Sequence, residues 1–188
     1  VAAGIAEPDG LGHASAVAHA VLSACADARL VVAQIFFARL VTTAAQAAAG
    51  LDWLSRQGAA VVNMSFGLAA DRAVLRDACA RAVARGVILV ASAPARGDPV
   101  FPASYPGVIR VTGDARCAPG ELSALDGPRA DFGAHVRAGD VAGASIGTAH
   151  VTGTIARYLA EGGETQPDAV RAHLRSLCRY FGPERRTC

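Results

Sequence analysis

Three short apolar runs, none with polar alternation and each set off from the next by a helical stretch, constrain this chain most. They are residues 30–37 (LVVAQIFF), 59–66 (AAVVNMSF) and 87–93. A strand that is apolar on both sides must be covered on both sides, so such runs belong to a buried parallel sheet rather than to a half-solvated antiparallel one. The stretches around them read as helices: residues 13–28, residues 42–57 closed by Gly58, and residues 71–85 ended by Gly86. Alternating helix and strand of this kind predicts an α/β fold, a three-layer doubly wound and mainly parallel sheet with helices on both faces. In such sheets a functional site lies beyond the carboxyl ends of the strands.

The second half is less regular. Residues 94–107 carry four prolines and read as a loop, residues 108–112 (VIRVT) as a strand, and the following polar stretch to Ala130 as irregular. Residues 143–159 read as a small-residue helix, and 166–177 as a last helix started by Thr165 and Pro167. The basic tail, residues 178–188, reads as a frayed terminus, although Cys178 and Cys188 within it can pair. At 188 residues the whole is expected to be a single domain, residues 1–188.

Composition narrows the function classes. With 52% hydrophobic and 18% charged residues the chain can bury enough apolar surface to fold, which excludes disorder. A net charge of +2 supplies no field for nucleic acid or an anionic membrane, so neither partner is expected. No apolar run approaches the roughly 18 residues that span a bilayer. Five scattered cysteines without metal-type spacing read as reduced thiols, which suggests a cytoplasmic setting. The start at Val1 shows neither an initiator Met nor a charged leader region, and it is expected to be a truncated start.

Two places carry chemistry. His13, in Gly12-His13-Ala14-Ser15, stands where a loop enters a helix, and Ser145, in Gly143-Ala144-Ser145, opens another helix, where backbone N–H groups and the positive dipole end favour a developing oxyanion. Singly, the serine reads as a helix cap. Together, a Ser and a His far apart in sequence and presented at one sheet edge suit acyl transfer.

These segments resemble the subtilase family. The run from Asp9 to Ala18, DGLGHASAVA, is similar to the family's D-G-x-G-H-G-T-x-V-A; VVNMSFG, ending at Gly67, to V-I-N-M-S-L-G; FPASYPGVI, from Phe101, to Y-P-A-x-Y-P-x-V-I; and GASIGTAHVTG, from Gly143, to G-T-S-M-A-x-P-H-V-A-G. The resemblance implies a subtilisin-like fold, His13 as general base and Ser145 as nucleophile. It also implies that Ser65, Phe66 and Gly67 pair as a strand with the substrate backbone, and that Ala91, Ser92 and Ala93 form the opposite wall of the cleft. His150 and Asn63 fall on structural positions.

The departures matter as much. The family's catalytic aspartate sits in a D-[ST]-G motif on a first strand well upstream of the histidine, and this chain has no such motif. That first strand is absent, which favours loss of an upstream segment, and without an acidic orienter a histidine base loses on the order of 10⁴-fold in turnover. The family's oxyanion asparagine aligns with Ala95, which has no side-chain donor; one lost donor costs about 10²–10³ in rate. Arg96 and the Ser145 N–H are the remaining candidates beside the backbone of Ala95. The loops are short and poor in acids, so no metal is expected, and no cofactor.

Two readings of the function follow. One is a serine endopeptidase cutting an extended peptide or protein substrate with narrow specificity, similar to small bacterial subtilases that remove a leader from one partner, such as the one that matures quinohemoprotein amine dehydrogenase. The other is a peptide-binding subtilase-like domain that pairs with a strand at Ser65–Gly67 and does not cut it. A third, a dinucleotide loop at Gly10 to Ser15, lacks a well-placed acid at the end of the next strand.

Overall fold

The computed structural model describes residues 9–10, 12–36 and 41–184. Helix α1 (His13–Ala24) is followed by α2 (Ala44–Arg56), β1 (Val61–Met64), α3 (Ala73–Ala84), β2 (Ile88–Ser92) and β3 (Val108–Gly113). Then come β4 (Leu122–Ala124), β5 (Phe132–Ala134), a small hairpin of β6 (Arg137–Ala138) and β7 (Val141–Ala142), α4 (Ala144–Ala160), α5 (Pro167–Ser176) and β8 (Cys178–Phe181). The main sheet runs in the order β1-β2-β3-β5-β4-β8. Its pairs β1–β2, β2–β3, β3–β5 and β4–β8 are parallel, and only β4–β5 is antiparallel.

The unalternating strands are covered as their sequence requires. Every residue of β2 is buried, with Leu89 and Ala91 in the core against α2 and α3, and Ile88 and Val90 in the core against α4 and α5. A third cluster, Ala20 and Val21 with Ile146 and Ala149, joins α1 to α4. Two layers of helices thus enclose one sheet, and α1 and α4 lie on the same face.

Local signals account for most boundaries. Thr43 and Gln46 form a reciprocal capping box at the start of α2: the Thr43 hydroxyl accepts from the Gln46 N–H at 3.1 Å, and the Gln46 side chain accepts from the Thr43 N–H at 3.2 Å. Helix α1 ends at Ala24, short of the expected Ala28, because Cys25 turns out of helical geometry. Helix α5 has Gln166 at its N-cap position, with no side-chain capping bond, and Pro167 at its first position.

Three expectations change. Residues 30–36 form no strand, and Phe37 lies outside the described residues. Leu30 is 40% and Val32 61% exposed. The stretch to Ala130, expected to be irregular, contains β4. Its Ser123 donates to the buried Asp114 carboxylate at 2.7 Å, and Arg116 donates to the same carboxylate at 2.7 Å and to the Gly182 carbonyl at 2.9 Å. Those bonds fasten the tail, so residues 178–181 are a strand on β4 and not a frayed end. Cys178 is a free thiol, and Cys188 lies outside the described residues.

Candidate active site

β1, β2 and β3 end on one edge of the sheet at Met64, Ser92 and Gly113, and α1 and α4 begin at that edge. A cleft of about 400 Å³ lies there, lined by both His13 and Ser145, with Ser65, Phe66, Gly67 and Leu68 along one side and Phe36, Val41 and Thr42 beyond. His13 is the first residue of α1 and Ser145 the second of α4; both are half-buried. The structure therefore brings the two residues to one opening. Among the described residues no hydrogen bond joins the imidazole to the Ser145 hydroxyl.

Backbone geometry at α4 is demanding. Gly143, its N-cap, has φ 131°, which an L side chain rarely adopts, and its N–H is held by the Val136 carbonyl at 2.9 Å. At Gly147 an added Cβ would stand 2.7 Å from the Thr112 carbonyl oxygen, so only glycine lets α4 descend onto the end of β3. Ser145 rides between these two points. Its N–H, in the first turn of α4, has no intrahelical acceptor and is available to an anionic oxygen.

A run of side-chain hydrogen bonds ties that turn to the sheet. Thr152 donates to the Asn63 side-chain Oδ1 at 3.1 Å, the Asn63 amide donates to Ser65 Oγ at 2.8 Å, and Ser65 Oγ donates to the Ser145 carbonyl at 3.3 Å. On the other side Thr148 donates to the Ala144 carbonyl at 2.7 Å and shares a buried 3.0 Å bond with Ser92. Asp9 accepts from the Ser15 N–H at 2.7 Å across the first turn of α1. Of these supports the sequence marks Asn63 alone as structural.

The other site residues sit as follows. Ala91, Ser92 and Ala93 are buried in and just after β2, and none lines the cleft; Ser92 faces Thr148 instead. Ala95 and Arg96 are exposed in the loop after β2, also outside the cleft lining, and the Ala95 carbonyl accepts from Arg129 at 3.3 Å. Leu68 and Phe101 exchange backbone hydrogen bonds of 2.7 and 2.9 Å, which anchor the Ser65–Leu68 wall from behind.

His150, on α4, has its Nε2 buried without a partner, and burial, with His135 and His19 nearby, holds its pKa below the usual histidine value. Among the described residues no cluster of three or more His, Cys, Asp or Glu is placed to hold a metal, and no helix is long and apolar enough to cross a membrane. Burial pushes the Cys79 thiol up to about 12 and the Cys117 and Cys178 thiols up to about 11, so none of these is a ready nucleophile.

Comparisons with known proteins agree with this fold. The chain is 39% identical over 66 residues to the minor extracellular protease Epr of Bacillus subtilis (strain 168), a match covering 34% of this chain and 10% of that protein. Among solved structures, an S218A mutant of the protease domain of PatA superposes with a TM-score of 0.62 at 20% identity, covering 94% of this chain and 80% of that one. A cold-adapted subtilisin-like serine proteinase gives a TM-score of 0.58 at 22% identity over 76% of this chain and 57% of that one. At such identities these structures speak for the fold alone. The chain spans a tenth of Epr and somewhat over half of the cold-adapted enzyme. The subtilase family model matches residues 2–179, nearly the whole length, so the chain belongs to the subtilase family, peptidase family S8.

Proposed function

We propose that this protein is a serine endopeptidase acting on an extended peptide or protein segment through an acyl-enzyme. The observation that carries the reading is the shared cleft: His13 and Ser145, at the starts of two helices packed on one face of the sheet, line a single opening at the carboxyl edge. In the reaction Ser145 Oγ attacks the scissile carbonyl while His13 takes its proton, then returns that proton to the leaving amine; water deacylates the serine by the same route reversed. The Ser145 N–H is one oxyanion donor, and the loop at Ala95 and Arg96 is the proposed source of a second. Backbone groups at Ser65, Phe66 and Gly67 hold the substrate strand, with Ala91, Ser92 and Ala93 behind the opposite wall. The acid that orients His13 is proposed to come from polypeptide outside residues 9–184.

Narrow processing of one partner or leader peptide is the role that fits best. The neighbours include the prenylagaramide maturation protease PagA, at a TM-score of 0.53 and 19% identity, and the self-cleaved protease domain of PatA, at 0.52 and 23%. Four free thiols among the described residues accord with a cytoplasmic setting, without cofactor, metal, membrane or nucleic acid.

A second reading, a peptide-binding domain that does not cut, is favoured by one observation: Ala95 brings no side-chain amide, and neither it nor Arg96 lines the cleft. Incubation with a peptide library, read by mass spectrometry, separates the two. Endopeptidase action gives fragments that disappear in Ser145→Ala; peptides retained on the protein uncut support the binding domain.

A further inference from the structure

Thr148 carries one hydroxyl hydrogen and has three oxygens near it: the Ala144 carbonyl at 2.7 Å, Ser92 Oγ at 3.0 Å and the Val111 carbonyl at 3.5 Å. A carbonyl only accepts, and the nearer of the two carbonyls takes the hydrogen, so Thr148 donates to Ala144. The bond to Ser92 then has one direction left: Ser92 donates and Thr148 accepts. A directed chain results, from Ser92 at the end of β2 through Thr148 to the Ala144 carbonyl in the first turn of α4. Thr148 is wholly buried and Ser92 is 9% exposed, so the chain lies out of water.

A threonine bonded to the carbonyl four residues earlier is common in helices, and α4 has two more: Thr152 donates to the Thr148 carbonyl and Thr154 to the His150 carbonyl, both at 2.9 Å. The three bonds differ in the peptide group they act on. The carbonyls of Thr148 and His150 belong to peptide groups inside α4, whose N–H groups are spent in the helix. The Ala144 carbonyl belongs to the same peptide group as the Ser145 N–H, which lies in the first turn without an intrahelical acceptor. The next N–H, that of Ile146, is already taken by the Gly143 carbonyl at 3.1 Å. A hydrogen bond accepted by a peptide's carbonyl draws electron density to the oxygen and makes the N–H of that peptide a stronger donor, the more so where the dielectric is low.

We infer, resting on the endopeptidase reading, that Ser92 and Thr148 are positioning residues for the reaction: they hold and polarise the Ala144–Ser145 peptide so that its N–H stabilises the oxyanion. A negative oxygen in the transition state draws on the whole chain back to Ser92, whereas a neutral substrate carbonyl draws on it little. The pair therefore acts on the chemical step and leaves binding almost untouched. Its size follows from two magnitudes. A full oxyanion donor is worth about 10²–10³ in rate, and one relayed hydrogen bond strengthens its neighbour by roughly 10–30%, so loss of the Thr148 hydroxyl slows the step about two- to eightfold.

Inactivation by phenylmethanesulfonyl fluoride tests this on the natural full-length protein. Ser145 Oγ bonds the sulfur, fluoride leaves, His13 takes the proton, and a sulfonyl oxygen stands where the oxyanion would. The kinetics are resolved into a binding constant and a rate constant, and the amide nitrogen chemical shift of Ser145 is recorded beside them. Thr148→Val keeps the shape and deletes the hydroxyl; it should lower the rate constant about two- to eightfold at an unchanged binding constant and move the Ser145 shift. Thr148→Ser should restore both, and Ser92→Ala should move both in the same direction by less. A Thr148→Val protein with the wild-type rate constant overturns the inference. So does a weakened binding constant that Thr148→Ser leaves weak, which assigns Thr148 to packing alone. Should Thr148→Val fail to fold, Ser92→Ala decides, and an unchanged rate constant and amide shift overturn the inference. Folded wild-type protein that takes no adduct at Ser145 overturns the endopeptidase reading and this inference with it, whereas labelling indifferent to the Thr148 hydroxyl overturns the inference alone.

Discussion

Ser65 Oγ donates to the Ser145 carbonyl at 3.3 Å, across 80 positions of sequence, and thereby fastens the end of β1 to the first turn of α4. The same oxygen accepts from Asn63, which accepts from Thr152 about two turns further along α4. The turn that presents Ser145 is thus held from the sheet by side chains as well as by the helix itself. Ser65→Ala leaves the Asn63 amide short of an acceptor, and it should cost about 1–2 kcal/mol in unfolding free energy. It should also slow covalent modification of Ser145 several-fold. Chemical denaturation and inhibitor kinetics measure the two effects, and an unchanged modification rate would show that the clamp does not position the serine.

Close approach of α1 and α4 sets the spacing of the site. An added Cβ at Gly153 would stand 2.4 Å from the Val21 carbonyl oxygen and 2.8 Å from Ala24 Cβ. Gly153→Ala must push α1 away, with an overpacking cost of about 1–3 kcal/mol, and it shifts His13 relative to Ser145. The expected outcome is a lower melting point together with a loss of Ser145 reactivity larger than the stability change explains.

How much of this was legible beforehand depends on where the signal lies. The buried strands β1, β2 and β3 and the helices α2, α3 and α4 announce themselves, because periodicity and terminal glycines are local. His13 and Ser145 were visible as helix starts, and the cleft they share follows from the alternation of elements. Strands of two or three residues, such as β4 and β5, leave no periodicity to read; they form by pairing with β3, with each other and with β8. Residues 30–36 mislead in the opposite direction. Their composition suits a strand, yet the structure forms none there. Likewise Ser92 and Thr148, 56 positions apart, become partners only when α4 lies over β2.

Acid should destabilise the fold in two stages. His150 is kept below its ordinary value by burial first, then by His135 and His19, so the unfolded chain takes up its proton before the folded one and stability begins to fall below about pH 6.5. Burial alone would raise Asp114 and Asp131, but hydrogen bonds from Arg116 and Ser123, and from Arg110 and Arg171, hold both below the usual carboxylate value. Their contribution is complete above about pH 4 and is lost as pH drops through the folded-state values. Asp131→Asn strands two arginines and should lower stability at pH 7 by about 2–4 kcal/mol while flattening the profile below pH 4. Urea titrations from pH 3 to pH 8 give both quantities.

Arg96 is exposed and stands outside the cleft lining, whereas an oxyanion donor must come within about 3 Å of the reacting oxygen. Arg96→Ala should change turnover by less than about threefold. A fall of 10²-fold or more at unchanged substrate affinity would instead make the guanidinium the second donor.

The most direct test of the account is covalent capture of the serine. Natural full-length protein treated with a fluorophosphonate, then digested and mapped by mass spectrometry, should carry a single adduct on Ser145. Labelling should be absent in Ser145→Ala and at least about 100-fold slower in His13→Ala, because the hydroxyl needs its base. An unlabelled Ser145 in folded protein, or labelling indifferent to His13, would contradict the proposal that these two residues form one reactive pair.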